Sequence, residues 1–579
     1  MSSARQTDQT SGFTDHLRTV VGAKHVLTQP RAMRRYCAGF RSGGGAALAV
    51  VRPARLVELW QVLKLCVTAD VIVVPQAANT GLTGGSTPAQ GYDREVVVIS
   101  TARMKGIFPI REGRQVVCLP GATLHELERS LKPLGREPHS VIGSSCFGAS
   151  VIGGISNNSG GALVRRGPAY TQMAVYAQVD ADGELHLVNH LGFDLGPTPE
   201  IILDRLERGQ FGPADSALKC VASDDHYEAH VRDVGANTPA RYNADPRLLH
   251  EASGCAGKLM VFAVRLDTFA REPDTQTYYI GCNAASDLAQ LRHMLLTQTT
   301  KLPIAAEYIH REAFDLADRY GKDQFLLIRK LGTDRLPDFF GLKSRCDAFL
   351  SRIRWLPENL IDRLLYAAGR LWPDHLPTRM RDWRQRFEHH LILKVSHKDV
   401  SETESLLAQW QGDGQAGYFL CTPDEAAKAY LHRFVTAGAA IRYQAVHPHE
   451  TAGIVALDIA LRRNDMDWFE QLPTELAGRL VHRIYYGHFL CHVLHQDYIV
   501  KAGEDCADIK AQMLVQLKVR GARYPAEHNV GNQYVAEPPL ADFYRTLDPG
   551  NRFNAGIGGM SRWRDYSDVQ PVCCDSGHS

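Results

Sequence analysis

The sequence has little that would carry it into or across a membrane. No apolar run in its 579 residues approaches the ~18 consecutive residues that a membrane-spanning helix needs. The N-terminal segment, MSSARQTDQTSGFTDHLR, has no apolar core of the kind found in secretory signals. We therefore expect neither a spanning segment nor a cleaved leader, so any attachment to a membrane would be peripheral.

An excess of charge of either sign is also missing. Lysine plus arginine total 65 and aspartate plus glutamate total 64, so no overall field draws the chain to nucleic acid, and we find no nucleic-acid-binding motif. The 13 cysteines are scattered without the spacing of metal ligands, which is typical of a reducing compartment. We therefore expect no nucleic-acid partner and no disulfide framework.

The chain contains three glycine-rich segments. The segment QAANTGLTGGST (76–87) follows a strand–helix–strand pattern at 47–53, 54–70 and 71–75. A second glycine- and serine-rich segment covers 140–161, and a third precedes an apolar strand at 260–268. The length of the chain predicts more than one domain.

Such loops suit the binding of a diphosphate. Converging backbone N–H groups bind it well, glycine removes the obstructing Cβ, and serine and threonine add small hydroxyl donors. The two longer loops thus predict the two sides of a dinucleotide site. The alternative is that they are only elaborate turns in a large enzyme, which can have the same composition. Neither loop has the G-x-G-x-x-G or the G-x-x-x-x-G-K-[ST] pattern, which disfavours NAD and nucleoside triphosphates.

The loop residues carry a resemblance to a known family. The segment from Pro75 to Ser86 resembles the pyrophosphate loop of flavoproteins of the vanillyl-alcohol oxidase type. Further landmarks are GREPHSVIGSSC (135–146), ARYNADP (240–246) and LDPGNRFNAGIG (547–558). Together with the text from Tyr430 to Gln444 they make nearly the whole chain similar to the respiratory, membrane-bound, quinone-dependent D-lactate dehydrogenases of Gram-negative bacteria.

The resemblance implies an α+β fold in three parts. A two-subdomain FAD-binding domain of the vanillyl-alcohol oxidase type would comprise residues 1–268 and 520–579. An α+β cap with an antiparallel sheet would carry the substrate, and a basic helical insertion would bind the membrane. The cap would comprise 269–310, 388–425 and 450–519, and the insertion 311–387 and 426–449.

The same resemblance assigns the cofactor and its residues. The residues placed on FAD are Ala77, Ala78, Asn79, Thr80, Gly81, Gly85, Ser86, Gly143, Ser150, Gly160 and Val261. Several flavoproteins of this superfamily tether FAD through a histidine in or near the loop. No histidine lies between His25 and His125 in this chain, so we expect noncovalent FAD.

A second constellation is a run of histidines in YYGHFLCHVLHQDYIV (485–500). On one helix His488, His492 and His495 would share a face, whereas on one strand His488 and His495 would point to opposite sides. The tyrosine, phenylalanine, valine and isoleucine content favours a strand, but periodicity leaves both open.

Many flavin dehydrogenases of 2-hydroxy acids bind a divalent metal with two histidines at this seven-residue spacing and a later glutamate. By that resemblance His488, His495 and Glu527 would hold Zn²⁺, Mn²⁺ or Fe²⁺, a reasonable donor set for these ions. The G-D-G-N turn of the motif is replaced here by Leu490–Val493. The alternative is that both histidines are hydrogen-bonded residues of the core.

Candidates for the chemistry follow from the same comparison. His528, directly after Glu527, would take the hydroxyl proton of the substrate, because imidazole titrates near neutral pH. The planar guanidinium of an arginine can bind a substrate carboxylate through two parallel hydrogen bonds. Arg433 and Arg442 are the candidates, and either could instead be an ordinary surface cation.

The stretch 329–388 has 13 basic against 8 acidic residues, with tryptophans and leucines among its arginines. Basic residues attract anionic headgroups and amphipathic aromatic residues settle at the membrane interface. The stretch therefore predicts contact with an anionic lipid surface, although most basic runs are only solvated helix faces. The resemblance implies a peripheral location on the cytoplasmic face of the bacterial inner membrane.

The resemblance implies FAD-dependent oxidation of D-lactate to pyruvate, with electrons passed to membrane quinone. One alternative is the same chemistry on another D-2-hydroxy acid, such as 2-hydroxyglutarate or glycolate. An alternative of a different class is a non-catalytic, flavin-binding membrane adaptor, against which the presence of both Glu527 and His528 argues.

Overall fold

The structure is a computed structural model. It describes residues 2–39, 41–139, 148–212, 219–332, 359–410, 416–468 and 471–567, together with Lys343, Cys346, Leu350 and Ile353.

A four-stranded sheet lies near the N-terminus. Its strands are β1 (Val26–Leu27), β2 (Ala49–Val51), β3 (Ile72–Gln76) and β4 (Val96–Ser100). Helices α1 (Ser2–Val21), α2 (Pro30–Cys37) and α3 (Leu56–Thr68) accompany it. The order is β1-β2-β4-β3, with β2, β4 and β3 parallel. Parallel strands are covered on both faces, which explains the unbroken apolar runs of β3 and β4.

A second, antiparallel sheet has the order β5-β6-β10-β8-β9. Its strands are β5 (Ile107–Ile110), β6 (Gln115–Cys118), β8 (Ala174–Val179), β9 (Leu185–Asn189) and β10 (Met260–Asp267). Two short strands, β7 (Arg136–Glu137) and β11 (Phe269–Ala270), pair beside it. The helices of this region are α4 (Leu124–Leu131), α5 (Val151–Ser156), α6 (Pro199–Glu207) and α7 (Tyr227–Arg232).

The largest sheet is antiparallel and seven-stranded. Its strands are β12 (Thr275–Cys282), β13 (Ala305–His310), β14 (His389–Ser396), β15 (Ala416–Leu420), β16 (Thr451–Ala460), β17 (Leu480–His488) and β18 (Val493–Lys501). The order is β15-β12-β14-β13-β17-β18-β16. We call it the cap sheet. Each strand alternates between two buried clusters, so both faces of the sheet are covered.

Helices cover the two faces of the cap sheet. They are α8 (Ala285–Thr297), α9 (Arg311–Tyr320), α10 (Lys322–Leu331), α11 (Leu360–Leu371), α12 (Thr378–Arg386), α13 (Val400–Trp410), α14 (Pro423–Phe434), α15 (Thr436–Val446), α16 (Thr474–Gly478) and α17 (Cys506–Val519). Residues of α9, α14 and α15 share one buried cluster with the sheet, and residues of α8, α13 and α17 share the other.

The C-terminal segment returns to the first sheet. After α18 (Pro538–Leu547), Phe553 forms a parallel bridge with Val73 on β3. The Asn554 side chain donates to the Gly85 carbonyl at 2.7 Å, and Asn532 donates to the Gly84 carbonyl at 2.9 Å. The two ends of the chain therefore shape the first glycine loop together.

The α+β class and the antiparallel sheet in the second half of the chain are confirmed, and the strands expected at 47–53, 71–75 and 260–268 are present. Within the part of the chain that the structure describes, no helix combines the length and the apolarity needed to cross a bilayer.

Candidate active site

The first glycine loop is held from one side by its own side chains. Gln76 donates to the carbonyls of Tyr36 and Ser86 at 2.8 and 2.7 Å. Ser86 Oγ donates to Asn79 Oδ1 at 2.9 Å, and Asn79 Nδ2 donates to the Ala38 carbonyl at 2.8 Å. Two of the predicted FAD residues, Asn79 and Ser86, thus stabilise the loop itself.

The other side of this loop is open backbone. A Cβ on Gly81 would meet nothing within 4 Å, whereas a Cβ on Gly84 would lie 2.9 Å from Cα of Gly43. Ala78 and Gly81 are exposed, and Ala77 and Thr80 are half-buried. A loop with a packed side and a bare, open side fits the diphosphate of FAD, which needs backbone N–H groups without intervening side chains.

Of the four predicted FAD residues outside the first glycine loop, three lie in the described part of the chain. Ser150 caps α5, accepting a hydrogen bond from the Gly153 N–H at 3.0 Å, and Val261 is buried on β10. A Cβ on Gly160 would lie 2.7 Å from the guanidinium carbon of Arg241, so this loop reaches the histidine cluster described next. Gly143 lies outside the described residues.

The histidine run is neither one helix nor one strand. It is a hairpin in which β17 ends at His488 and β18 begins at Val493. Tyr486 pairs with His495 across the two strands, so His488 and His495 share one face of the cap sheet. A single strand would have pointed the two side chains to opposite sides, whereas the turn between β17 and β18 brings them to the same side. His492 lies in the turn, fully buried, with Nδ1 3.1 Å from the Arg462 carbonyl oxygen.

His488 and His495 converge on the predicted glutamate. His488 Nε2 lies 3.2 Å and His495 Nε2 3.7 Å from Glu527 Oε2. Ligand atoms of all three residues lie within 4.8 Å of one another, and no other described group of histidine, cysteine and acidic residues meets that condition. Two imidazoles and a carboxylate fit a Zn²⁺, Mn²⁺ or Fe²⁺ ion.

Two further carboxylates lie behind the histidines. His488 Nδ1 is 2.7 Å from Glu307 Oε1, and His495 Nδ1 is 3.4 Å from Asp458 Oδ1. Burial opposes a charge on His488, but Glu307 and Glu527 outweigh it and raise its pKa to about 10 in the metal-free protein. Burial likewise opposes the charge of Glu527, yet His488 and Arg241 hold the pKa of this carboxyl well below its usual range.

Arg241 links the glutamate to the second glycine loop. Arg241 is 2% exposed, forms an ion pair with Glu527 and donates to the Gly161 carbonyl at 2.9 Å. Because Gly160 and Gly161 belong to the second glycine loop, the loop and the His488–His495–Glu527 cluster are neighbours.

His528 borders this cluster and remains accessible. Its backbone N–H lies 3.2 Å from Asp458 Oδ2, and its Nε2 lies 3.9 Å from the same oxygen. The side chain is 36% exposed, in contrast to the mostly buried histidines of the cluster. The imidazole of His528 is therefore open to solvent beside the cluster.

The two candidate arginines are separated. Arg433 Nη2 lies 3.1 Å from Glu307 Oε2, and the guanidinium lies over the Tyr486 ring at 4.5 Å, so this residue borders the cluster. Arg442 is buried between helices, 2.9 Å from Asp323 and 2.9 Å from Asp362. Its described partners are acids of α10 and α11 and none belongs to the cluster.

Sequence reasoning missed Glu307, Asp458 and Arg241. Glu307 and Asp458 each stand alone in an apolar strand, IAAEYIH and IVALDIA. A buried acid in such a strand needs a partner, and this signal would have singled out both. Arg241 lies in a segment used only as a family landmark.

Several arginines of the basic stretch are paired with acidic residues. Arg379 pairs with Glu425 at 3.2 Å, Arg381 with Asp318 at 2.8 Å, and Arg384 with Asp315 at 2.6 Å. Leu364, Leu371 and Trp372, by contrast, are 59%, 87% and 40% exposed. Arg352, Arg354, Trp355 and Leu356 lie outside the described residues.

Comparison with solved structures defines the class. The chain superimposes on p-cresol methylhydroxylase with substrate bound, with a TM-score of 0.58 over 95% of this chain and 97% of that one, at 12% identity. Residues 47–189 match the family described as an FAD binding domain. The fold is thus that of FAD-binding proteins of the vanillyl-alcohol oxidase type, as the resemblance implied.

Closer relatives define the family. Residues 277–566 match the family described as D-lactate dehydrogenase, membrane binding. The chain is 54% identical to the quinone-dependent D-lactate dehydrogenase of Escherichia coli (strain K12), over 98% of this chain and 100% of the relative. It is also 54% identical to that of Haemophilus influenzae, over 95% and 98%. The chain belongs to the family of quinone-dependent D-lactate dehydrogenases, which confirms the resemblance seen in the sequence.

Proposed function

We propose that this protein oxidises D-lactate to pyruvate with bound FAD and passes the electrons to membrane quinone. The observation that carries the proposal is the position of His528. This half-exposed imidazole stands beside the His488–His495–Glu527 cluster, which in turn adjoins Gly160 of the second glycine loop. The nearness of a candidate base, a candidate metal site and a candidate flavin site supports the proposal.

FAD, when bound, supplies the acceptor for two electrons. The first glycine loop would hold its diphosphate against the open backbone around Gly81. The absence of a histidine between His25 and His125 supports noncovalent attachment. Denaturation followed by filtration tests this, because noncovalent FAD passes the filter whereas tethered flavin stays with the polypeptide.

His528 would take the proton of the lactate hydroxyl as general base. Its side chain is 36% exposed, so a substrate could approach Nε2, which lies 3.9 Å from Asp458 Oδ2. A histidine in this role contributes about 10²–10⁴-fold to a rate. Arg433, at the edge of the cluster, is the stronger of the two candidates for contact with the lactate carboxylate. Arg442 already has two carboxylate partners.

His488, His495 and Glu527 would hold one divalent ion, Zn²⁺, Mn²⁺ or Fe²⁺. The convergence of two Nε2 atoms on one carboxylate oxygen supports this. Such an ion acts as a Lewis acid and orients oxygen atoms of a substrate.

We also propose the domain division given by the resemblance. The FAD domain comprises 1–268 and 520–579, and the cap comprises 269–310, 388–425 and 450–519. The membrane-binding region, 311–387 and 426–449, would hold the protein peripherally on anionic lipid at the cytoplasmic face of the inner membrane. The exposed Leu364, Leu371 and Trp372 support that assignment, since apolar and aromatic side chains enter the interface.

The experiment is a substrate comparison with purified protein and a soluble quinone analogue. We expect D-lactate to be oxidised with the highest kcat/KM, and L-lactate to be inactive. A higher kcat/KM for D-2-hydroxyglutarate or glycolate would favour the alternative substrate. No turnover with any 2-hydroxy acid would favour the flavin-binding adaptor.

A further inference from the structure

The two nitrogens of each cluster histidine have different partners. On His488, Nε2 faces Glu527 and Nδ1 faces Glu307; on His495, Nε2 faces Glu527 and Nδ1 faces Asp458. A neutral imidazole has one N–H and one lone pair. A carboxylate at Nδ1 accepts the N–H there and leaves the Nε2 lone pair for an ion.

The cap sheet itself produces this arrangement. Glu307 on β13 pairs directly with His488 on β17, and Asp458 on β16 pairs directly with His495 on β18. Side chains of directly paired residues are about 4.5–5.5 Å apart at Cβ and lie on one face. The strand register of the cap sheet alone therefore places each carboxylate beside its histidine, and no residue outside the sheet is needed for this.

Glu307 is also fixed in orientation. Its Oε1 faces His488, while its Oε2 lies 3.1 Å from Arg433 Nη2. Arginine has only hydrogen-bond donors, so Arg433 holds Oε2 of Glu307 as an acceptor. The other carboxylate oxygen, Oε1, is thereby turned towards Nδ1 of His488 and can accept its N–H.

Asp458 has a second set of partners. Its Oδ2 accepts the backbone N–H groups of Glu527 at 2.6 Å and His528 at 3.2 Å, while Oδ1 faces His495. One side chain of the cap sheet therefore holds the segment that carries both the glutamate ligand and the proposed base.

We propose that Glu307 and Asp458 are the positioning residues of this site. They set the N–H of His488 and His495 on Nδ1, so that both Nε2 atoms are ligands, and Asp458 also fixes Glu527 and His528 against the cap. The proposal rests on the metal centre put forward above. It adds two residues that act through the histidines and are not ligands themselves.

Isosteric amides test this. In Glu307→Gln the amide oxygen stays with Arg433 and the NH₂ turns to His488, which moves the histidine proton to Nε2. In Asp458→Asn the oxygen stays with the two backbone N–H groups and the NH₂ turns to His495. Glu312→Gln is the matched control, because Glu312 lies 2.7 Å from His482 Nδ1 in a pair outside the cluster.

The measurement is Zn²⁺ affinity of each FAD-loaded protein, by competition with a chromophoric chelator. We expect about one Zn²⁺ per wild-type chain, and a 10–100-fold loss of affinity in both amide variants, the range typical for residues that orient metal-binding histidines. Glu312→Gln should bind like the wild type. If Asp458→Asn does not fold, Glu307→Gln carries the test alone, since its described partners are side chains only.

Equal Zn²⁺ affinity in Glu307→Gln, or an equal loss in Glu312→Gln, would overturn the positioning role and leave the metal centre standing. A wild type that binds no Zn²⁺ would overturn both. Neither result bears on D-lactate oxidation, which flavin reduction in the same preparations reports separately.

Discussion

His488 Nε2 and Glu527 Oε2 lie 3.2 Å apart, although one residue ends a strand of the cap sheet and the other lies in the C-terminal segment. The contact joins the cap sheet to the C-terminal segment that helps to shape the first glycine loop. Glu527 is held there by Arg241 from the FAD side and by Asp458 from the cap. The proposed ligand Glu527 is thus held by contacts from the cap sheet and from Arg241 together.

The open backbone at Gly81 predicts a local effect on FAD. In Gly81→Leu the side chain would occupy the space proposed for the diphosphate, so the purified protein should lose its flavin while keeping its helix and strand content. Gly478→Leu is the control, because a Cβ there also meets nothing within 4 Å, far from the loop in sequence. The flavin-to-protein absorbance ratio measures the outcome. Equal flavin content in both variants would contradict the assignment of this loop.

Replacing His528 should separate binding from chemistry. His528→Gln should retain FAD, but D-lactate should reduce the flavin about 10²–10⁴-fold more slowly, as expected for loss of a general base. Stopped-flow absorbance under anaerobic conditions gives the rate. His226→Gln, at a side chain 93% exposed, is the control. An unchanged reduction rate in His528→Gln would remove His528 from the mechanism.

Membrane binding should depend on apolar residues more than on the paired arginines. Arg379, Arg381 and Arg384 have acidic partners, so reversing their charge would disturb the fold as well as any lipid contact. Changing Leu364, Leu371 and Trp372 together to serine should instead reduce sedimentation with anionic vesicles, with dye-linked D-lactate oxidation retained.

Val519→Ser is the control for that experiment, because Val519 is 86% exposed on α17. High salt should weaken binding further, since the Debye length falls from ~8 Å at physiological salt to ~3 Å at 1 M. Unchanged sedimentation of the triple variant would place the lipid contact elsewhere in the chain.

Buried neutral histidines should make the protein acid-labile. Burial, followed by the charges of His375 and Arg381, lowers the pKa of His432 to about 3, from an ordinary value near 6.5. The unfolded chain therefore binds a proton that the folded protein does not between about pH 6.5 and 3, and stability falls as the pH falls through that window. At pH 5 this one residue costs about 2 kcal/mol.

His432→Leu should remove that cost. We expect its Tm to fall less than the wild-type Tm between pH 7.5 and pH 5, by calorimetry at fixed salt. His226→Leu, at an exposed site, should follow the wild type. A His432→Leu variant with the full wild-type loss would show that this histidine does not contribute.

The sequence predicted those features that local pattern encodes. Apolar runs and glycine content predicted the strand–loop units around residues 72–87, and the family resemblance put forward Glu527 and His528 as candidates. The hairpin at 485–500 was missed. Side chains that recur on one face every 3.6 or every 2 residues indicate a single helix or a single strand, and such a pattern does not reveal a turn within the segment. Glu307 and Asp458 were missed because their role comes from strand pairing across up to 181 residues of chain.

The reduction of bound flavin by lactate tests the central claim most directly. D-lactate and L-lactate are added in turn to the anaerobic, purified protein while the visible flavin absorbance is followed. We predict that L-lactate leaves the absorbance unchanged and that D-lactate then bleaches it, with pyruvate formed in equal amount to the flavin reduced. Flavin that stays oxidised with D-lactate, or that L-lactate bleaches equally well, would contradict the proposed function.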